Sequence, residues 1–182
     1  MHIDLPNCTV REFRRGDEES LARFANDRRV WRNLKDAFPH PYTLDHARAW
    51  VALNQGDPNP HHFAIAVDGQ VAGGIGLEFK PDIWRYSAEL GYWLAPAYWG
   101  RGIMTGALRA VVDYAFATFD LNRLWAGAFD WNPASIRVLE KAGFVFEARL
   151  TKSAYKDGEF VDELIYAIVR QTSQPRQGQP KI

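Results

Sequence analysis

Leu94-Ala95-Pro96-Ala97-Tyr98-Trp99-Gly100-Arg101-Gly102-Ile103-Met104-Thr105 joins the end of a strand to the start of a helix. Upstream, Ser87 to Leu94 is rich in strand formers. Downstream, Ile103, Ala107, Leu108, Val111, Val112, Ala115, Phe116 and Phe119 recur with the 3.6-residue period of an amphipathic helix. A helix start leaves backbone N–H groups unpaired and carries the positive end of the helix dipole. Gly100 and Gly102 let a ligand approach the backbone and Arg101 adds a full positive charge, so the loop suits a pyrophosphate. The Lys-Ser/Thr end of a Walker loop and the three-glycine spacing of a Rossmann turn are both lacking. Taken alone, the same residues also describe a glycine turn that only starts a helix.

Working outward, Thr9 to Arg14 is expected as a strand, followed by a helix entered through Gly16 and Asp17, with Asp17 accepting from first-turn N–H groups. A second helix follows Thr43, with Leu44, Ala47, Trp50 and Val51 on one stripe and Pro58 and Pro60 beyond its end. His62 to Val67 and Val71 to Phe79 read as strands joined at Asp68-Gly69, the pair that best tolerates the positive φ angles of a tight hairpin. After the long helix, Arg123 to Phe129 returns as a strand. Pro133 to Ala142 is a helix with Asn132 as N-cap, Pro133 in its first position and Gly143 past its end. Two more strands, about Phe144 to Ser153 and Val161 to Val169, flank a turn at Asp157-Gly158. Mixed β and α order without a βαβ repeat gives an α+β class.

With 182 residues the chain is expected to form one domain, residues 1–170, and the polar stretch 171–182 a disordered tail. The 22 basic and 22 acidic residues cancel, so no global field draws nucleic acid or an anionic membrane. No apolar run reaches membrane-spanning length and the first residues do not follow a signal-peptide plan, which gives an expected cytoplasmic location. The single cysteine, Cys8, excludes an internal disulfide and reads as a small buried hydrophobe. The histidines have no partners at metal-ligand spacing, so no metal is expected.

The second informative segment is Asn132-Pro133-Ala134-Ser135-Ile136-Arg137-Val138-Leu139-Glu140-Lys141-Ala142-Gly143-Phe144. Tyr-Trp-Gly-Arg-Gly, followed by Asn-x-x-Ser and Val-Leu-Glu-Lys-x-Gly-Phe, resembles the GNAT acetyltransferases and within them the RimJ/RimL branch. The likeness runs from about Thr9 to Arg170. It implies a single-domain GNAT fold, a bent mixed sheet flanked by helices, whose fourth and fifth strands splay apart to admit acetyl-CoA as cosubstrate. The backbone of Trp93 and Leu94 would then bond the pantetheine amides, the loop Trp99, Gly100, Arg101, Gly102, Ile103, Met104 and Thr105 would hold the pyrophosphate, and Asn132 would add a contact to the pantetheine arm. Two departures stand out. Met104 occupies a place usually held by Gly or Ala and is expected to narrow the loop. Gly106 costs the helix about 1 kcal/mol relative to Ala, which a close packing contact would explain.

Acetyl transfer needs a neutral amine, a polarised thioester and a proton for the departing thiolate. An α-amine with pKa about 8 is roughly 10% neutral at pH 7, and a lysine at about 10.4 only about 0.04%, so an α-amine asks less of a base. The tyrosine acid of many relatives, seven positions after the Asn, is replaced by Leu139. Ser135 is the branch-like substitute, placed to hydrogen-bond the CoA sulfur as charge develops. Glu89 reads either as the general base, alternating onto one strand face with Gly91 and Trp93, or as an ion-paired strand residue. Trp31, Tyr42, Trp84 and Tyr155 are aromatic candidates for the acceptor site, each also readable as packing. A polycation would favour an acidic wall, and no acidic run is visible. The expected activity is transfer from acetyl-CoA directly to a primary amine, a protein N-terminus or a small molecule, by a monomer or homodimer. The alternative is a noncatalytic acyl-CoA-binding sensor module.

Overall fold

The computed structural model describes residues 1–171. The expected tail at 171–182 therefore lies, but for its first residue, outside the described residues. Eight strands form one sheet in the order β1-β2-β3-β4-β5-β6-β8-β7. They are β1 (His2–Leu5), β2 (Cys8–Glu12), β3 (His62–Val67), β4 (Gln70–Phe79), β5 (Ser87–Leu94), β6 (Arg123–Phe129), β7 (Val145–Lys156) and β8 (Glu159–Val169). The helices are α1 (Glu18–Ala25), α2 (Arg28–Trp31), α3 (Leu44–Asn54), α4 (Ile103–Thr118) and α5 (Pro133–Lys141). All neighbouring strands are antiparallel except β5 and β6.

That parallel pair defines the fold. Only Ser87↔Arg123, Ala88↔Leu124 and Glu89↔Trp125 are in register, and beyond them the strands part. The expected splay of the fourth and fifth strands is thus found between β5 and β6, because His2–Leu5 adds a strand that four residues of sequence do not announce. One face of the sheet packs Phe63, Ile65, Leu77, Leu90 and Leu124 against the buried stripe of α4 and Leu139 of α5. On the opposite face Phe13, Leu21, Ala47, Val51, Ala64 and Val71 pack with Trp50 and Trp93 beneath α1 and α3. Burying roughly a dozen large aliphatic and aromatic side chains, at about 1.5–3 kcal/mol each, is the main favourable contribution.

Local chemistry explains the boundaries. Asp68 (φ 49) and Gly69 (φ 78) turn the β3–β4 hairpin, and Asp157 (φ 55) and Gly158 (φ 91) turn β7–β8. Thr43 caps α3 by accepting from the His46 N–H, while the His46 ring accepts from the Thr43 N–H. Asp17 departs from expectation. It makes no side-chain cap, because its carboxylate takes both Arg11 guanidinium nitrogens at 2.8 Å and the Arg14 N–H at 2.9 Å, with Arg11 and Asp17 both buried. A bidentate buried partner outweighs one exposed backbone donor.

Candidate active site

At the end of β5 the chain makes a short 3₁₀ turn (Pro96–Tyr98) and enters the glycine loop. Gly100 and Gly102 both sit at φ 75, and Gly102 is the helix N-cap with no side-chain cap bond. The first N–H groups of α4 are left to a ligand. Trp99 braces the loop, its indole donating to the Leu94 carbonyl at 2.6 Å, and Asn7 of the β1–β2 turn donates to the Arg101 carbonyl at 3.3 Å. A hollow of about 650 Å³ bordered by Arg14 and Arg101 adjoins the loop, and another of about 390 Å³ is bordered by Thr105, Arg109 and Lys141. Arg101, Arg109 and Lys141 beside a helix start fit the phosphates of a coenzyme A. Ile103 and Met104 turn their side chains into the main core. Met104 therefore does not narrow the loop, and both residues offer only their backbone.

The ladder directs β5. Ala95 donates to the Ala72 carbonyl and Lys80 to the Ser87 carbonyl, so by the alternation of an antiparallel pair the odd residues of β5 bond β4 and the even ones face β6. Trp93 is in register with Gly74, and its backbone is engaged there. The groups freed by the splay are those of Tyr92 and the Leu94 N–H, the Leu94 carbonyl being taken by the Trp99 indole, which corrects the expectation for Trp93. The Trp93 indole lies on the other side of the sheet, edge-on to Phe38.

Beside this gap, Asn132 caps α5, its side-chain oxygen accepting from the Ser135 N–H at 3.2 Å. The Ser135 hydroxyl is 2.7 Å from the Tyr92 phenol, which also lies 3.3 Å from the Ser135 carbonyl. Burial pushes the Tyr92 phenol well above the usual tyrosine range, the Ser135 bond opposing it more weakly. Either hydroxyl can be the donor of that 2.7 Å bond, and when the Tyr92 proton goes to the Ser135 hydroxyl oxygen the serine proton is left to point into the gap. Leu139 is fully buried in the core.

The opposite sheet face carries Glu89, Gly91, Trp93, Trp125, Gly127, Phe129 and Glu163, since directly paired residues share a face. A Cβ at Gly91 would meet nothing within 4 Å, so the floor there is open. Glu89 lies at the fork of the splay, ion-paired to Lys35 at 2.7 Å and Lys80 at 2.9 Å. Glu163 lies across the floor with its carboxylate over Gly127. It makes no ion pair among the described residues. Burial and then the charge of Glu89 raise its carboxyl above the ordinary glutamate range, with Lys35 opposing. Glu163 was not among the sequence candidates. A glutamate alternating within Val161-Asp162-Glu163-Leu164 is the only signal it leaves.

The aromatic candidates separate. Tyr42 is buried in the second core against Phe38 and His46, and burial pushes its phenol up to about 12. Trp84 is 61% exposed in the turn before β5, at the far end of that strand from the glycine loop. Tyr155 is also exposed and packs on Phe160. Trp31 is half-buried between His40 and the Lys156 ammonium, 3.7 Å above its ring. Tyr42 is thus a packing residue of the second core, and Trp84 lies away from the glycine loop. A group the sequence did not reveal closes the corner between β6 and α5: Trp131 donates to the Asn33 side chain at 3.1 Å and the Arg32 guanidinium stacks on its ring.

Comparison with known proteins agrees with this geometry. Residues 7–145 match the acetyltransferase (GNAT) domain family. The probable N-acetyltransferase YjcK of Bacillus subtilis is 40% identical over 111 residues, 60% of this chain and 61% of that one, so the alignment spans less than two thirds of that relative. The spermidine N(1)-acetyltransferase of Escherichia coli K12 is 28% identical over 104 residues, 57% of this chain and 55% of that one. Among solved structures, a GNAT-family acetyltransferase from Bacillus anthracis superposes with a TM-score of 0.79 at 26% identity, covering 93% of this chain and 98% of that one. RimL, the ribosomal L7/L12 α-N-protein acetyltransferase solved with coenzyme A, shares the fold with a TM-score of 0.78 at 21% identity, covering 93% of this chain and 98% of that one.

Proposed function

We propose a specific acceptor chemistry for a chain that belongs to the GNAT acetyltransferase family. It is an acetyl-CoA-dependent N-acetyltransferase of that family, and its reaction is read here as direct transfer of the acetyl group to a primary amine. The observation that carries this reading is the pair of groups on the two sides of the splay: the Ser135–Tyr92 hydroxyls beside the gap and the unpaired Glu163 carboxylate across the acceptor floor. The glycine loop with Arg101, Arg109 and Lys141 would hold the phosphates, and the free backbone of Tyr92 and the Leu94 N–H the pantetheine arm.

An incoming ammonium gives its proton to Glu163, whose carboxyl is raised by burial and by Glu89, and the neutral amine then attacks the thioester carbon to form the C–N bond, its surplus proton passing to the leaving thiolate. Glu89 was the sequence candidate for this role, but both its carboxylate oxygens are taken up by ammoniums, Oε1 by Lys35 and Oε2 by Lys80, so neither is open to an acceptor amine. As the carbon–sulfur bond breaks, Ser135 donates to the sulfur, with Tyr92 holding the serine oxygen from behind. A hydroxyl is a weak acid, so hydrogen-bond stabilisation of the thiolate is favoured over full proton transfer.

RimL and the spermidine enzyme, by their names, take a protein N-terminus and a polyamine. The acceptor proposed here is an α-amine of a peptide or small molecule. Thiol release measured across a panel of peptides and small amines tests it. Free CoA appearing with an α-amine supports the reading, whereas CoA binding without turnover of any amine supports a noncatalytic acyl-CoA sensor.

A further inference from the structure

We propose that Lys35 and Lys80 set acceptor specificity, restricting the acceptor face to amines with a single positive charge and excluding polyamines. This rests on the acetyl-transfer reading above. The sheet assembles what no acidic run in the sequence announces: Glu78 on β4, Glu89 directly opposite it on β5, and Glu163 on β8, close enough to feel the charge of Glu89. Three bare carboxylates at the mouth of an amine site would attract a polycation.

Two ammoniums cancel most of that field. Lys35 Nζ lies 2.7 Å from Glu89 and 3.2 Å from Glu78, and Lys80 Nζ lies 2.9 Å from Glu89 and 3.1 Å from Glu78. Partial burial works against both lysine charges, but the hydrogen bonds and charges of the two glutamates outweigh it and raise both ammoniums above the usual lysine range. The Lys80 hydrogen bond, then that of Lys35, holds the Glu78 carboxyl below its ordinary value. Three negative and two positive groups leave one negative charge, enough for the reacting ammonium. A second ammonium on the acceptor would meet saturated carboxylates and two like charges. Nearby acids offer no substitute, since Asp36 is paired with Lys156 and Asp157 with Arg28. Lys80 is held in place over the Trp125 ring at 5.3 Å, whereas Lys35 reaches in from the exposed segment after α2.

Calorimetric titration of spermidine into the protein with excess CoA tests this without requiring turnover. Wild type is expected to bind spermidine weakly, Lys35→Ala roughly threefold more tightly, and Lys35→Ala/Lys80→Met roughly tenfold, an increment that shrinks as salt rises. Lys35→Arg should match wild type, and adding Glu78→Gln and Glu89→Gln to the double variant should abolish the gain. Wild type binding spermidine as tightly as the double variant, or a gain that survives both glutamine substitutions, would overturn the proposal. The single Lys35→Ala carries the same comparison if the double variant does not fold. Acetylation of an α-amine peptide is followed in parallel. If wild type acetylates no amine while binding CoA, the acetyl-transfer reading fails and the spermidine comparison still stands by itself.

Discussion

The Tyr92 phenol, buried and 2.7 Å from the Ser135 hydroxyl at a helix start, can leave the serine proton to be presented to a ligand. If Ser135 stabilises a developing thiolate through a charge-assisted hydrogen bond of about 1.5–3 kcal/mol, Ser135→Ala should lower kcat roughly 10–100-fold. CoA affinity should stay within about twofold, as read by calorimetry. Tyr92→Phe should lower kcat less, by several-fold, because the serine remains. Glu163 makes a second and opposite pair of expectations. Its carboxyl is raised by burial and by Glu89, so kcat/KM should fall as pH drops through that raised value, and Glu163→Gln should remove the acidic limb along with most activity. The same shift makes the folded state bind a proton more readily than the unfolded chain, so the Glu163 charge costs stability above its folded pKa and costs nothing below the unfolded one. Glu163→Gln should therefore melt at a higher temperature at neutral pH, and an unchanged or lower Tm would contradict the assignment. At this scale the sequence was partly readable. Ser135 and Asn132 stood in a local motif, whereas the Tyr92 and Glu163 roles depend on contacts across β5, α5 and β8.

Helix α4 shows what an element keeps for its ligand. Its N-cap is a left-handed glycine without a side-chain cap, and its first N–H groups stay free. Further along, Gly106 was expected to permit a tight contact. The nearest atom to an added Cβ is Leu5 Cδ1 at 3.8 Å, an ordinary van der Waals distance. Gly106→Ala is therefore expected to stabilise the protein by about 0.5–1 kcal/mol, checked by urea denaturation at an unchanged m-value. A loss of stability would show a constraint at that position beyond helix propensity. Strands β3, β5 and β6 and helix α3 could be bounded from sequence because each carries its own signal, a hairpin pair, an apolar period or a cap. Strand β1 and helix α2 could not. Each has four residues, too few for a period; β1 is held by the β2 ladder, and α2, capped by Asp27, by the buried Val30 and by Arg28 to Asp157 in the β7–β8 turn.

Across the whole molecule, the proposed function rests on one fork in one sheet. The fork separates the proposed coenzyme side, with the glycine loop, α5 and Tyr92, from the proposed acceptor side where carboxylates of three strands meet. The long-range part of that arrangement was not legible, because Glu78, Glu89 and Glu163 are joined only by sheet register. The two-sided packing also predicts a pH dependence of the fold. His62 lies against Trp50, with Gly76 leaving space for its ring. Burial, then the neighbouring His61, lowers its pKa to about 4. An unfolded histidine titrates near 6.5, so His62 stabilises the neutral fold above that value and the contribution is lost as pH falls from about 6.5 toward 4. His62→Gln should flatten the Tm profile over that interval, and an equally steep profile would assign the loss to other groups. The most direct measurement of the acetyl-transfer mechanism is fragment-ion mass spectrometry of a peptide incubated with the protein and acetyl-CoA, compared with the same peptide blocked at its α-amine. An acetyl group on the α-nitrogen of the free peptide, formed much more slowly with Ser135→Ala, is the expected result. Bound CoA with neither peptide modified, and no small amine acetylated, would contradict it.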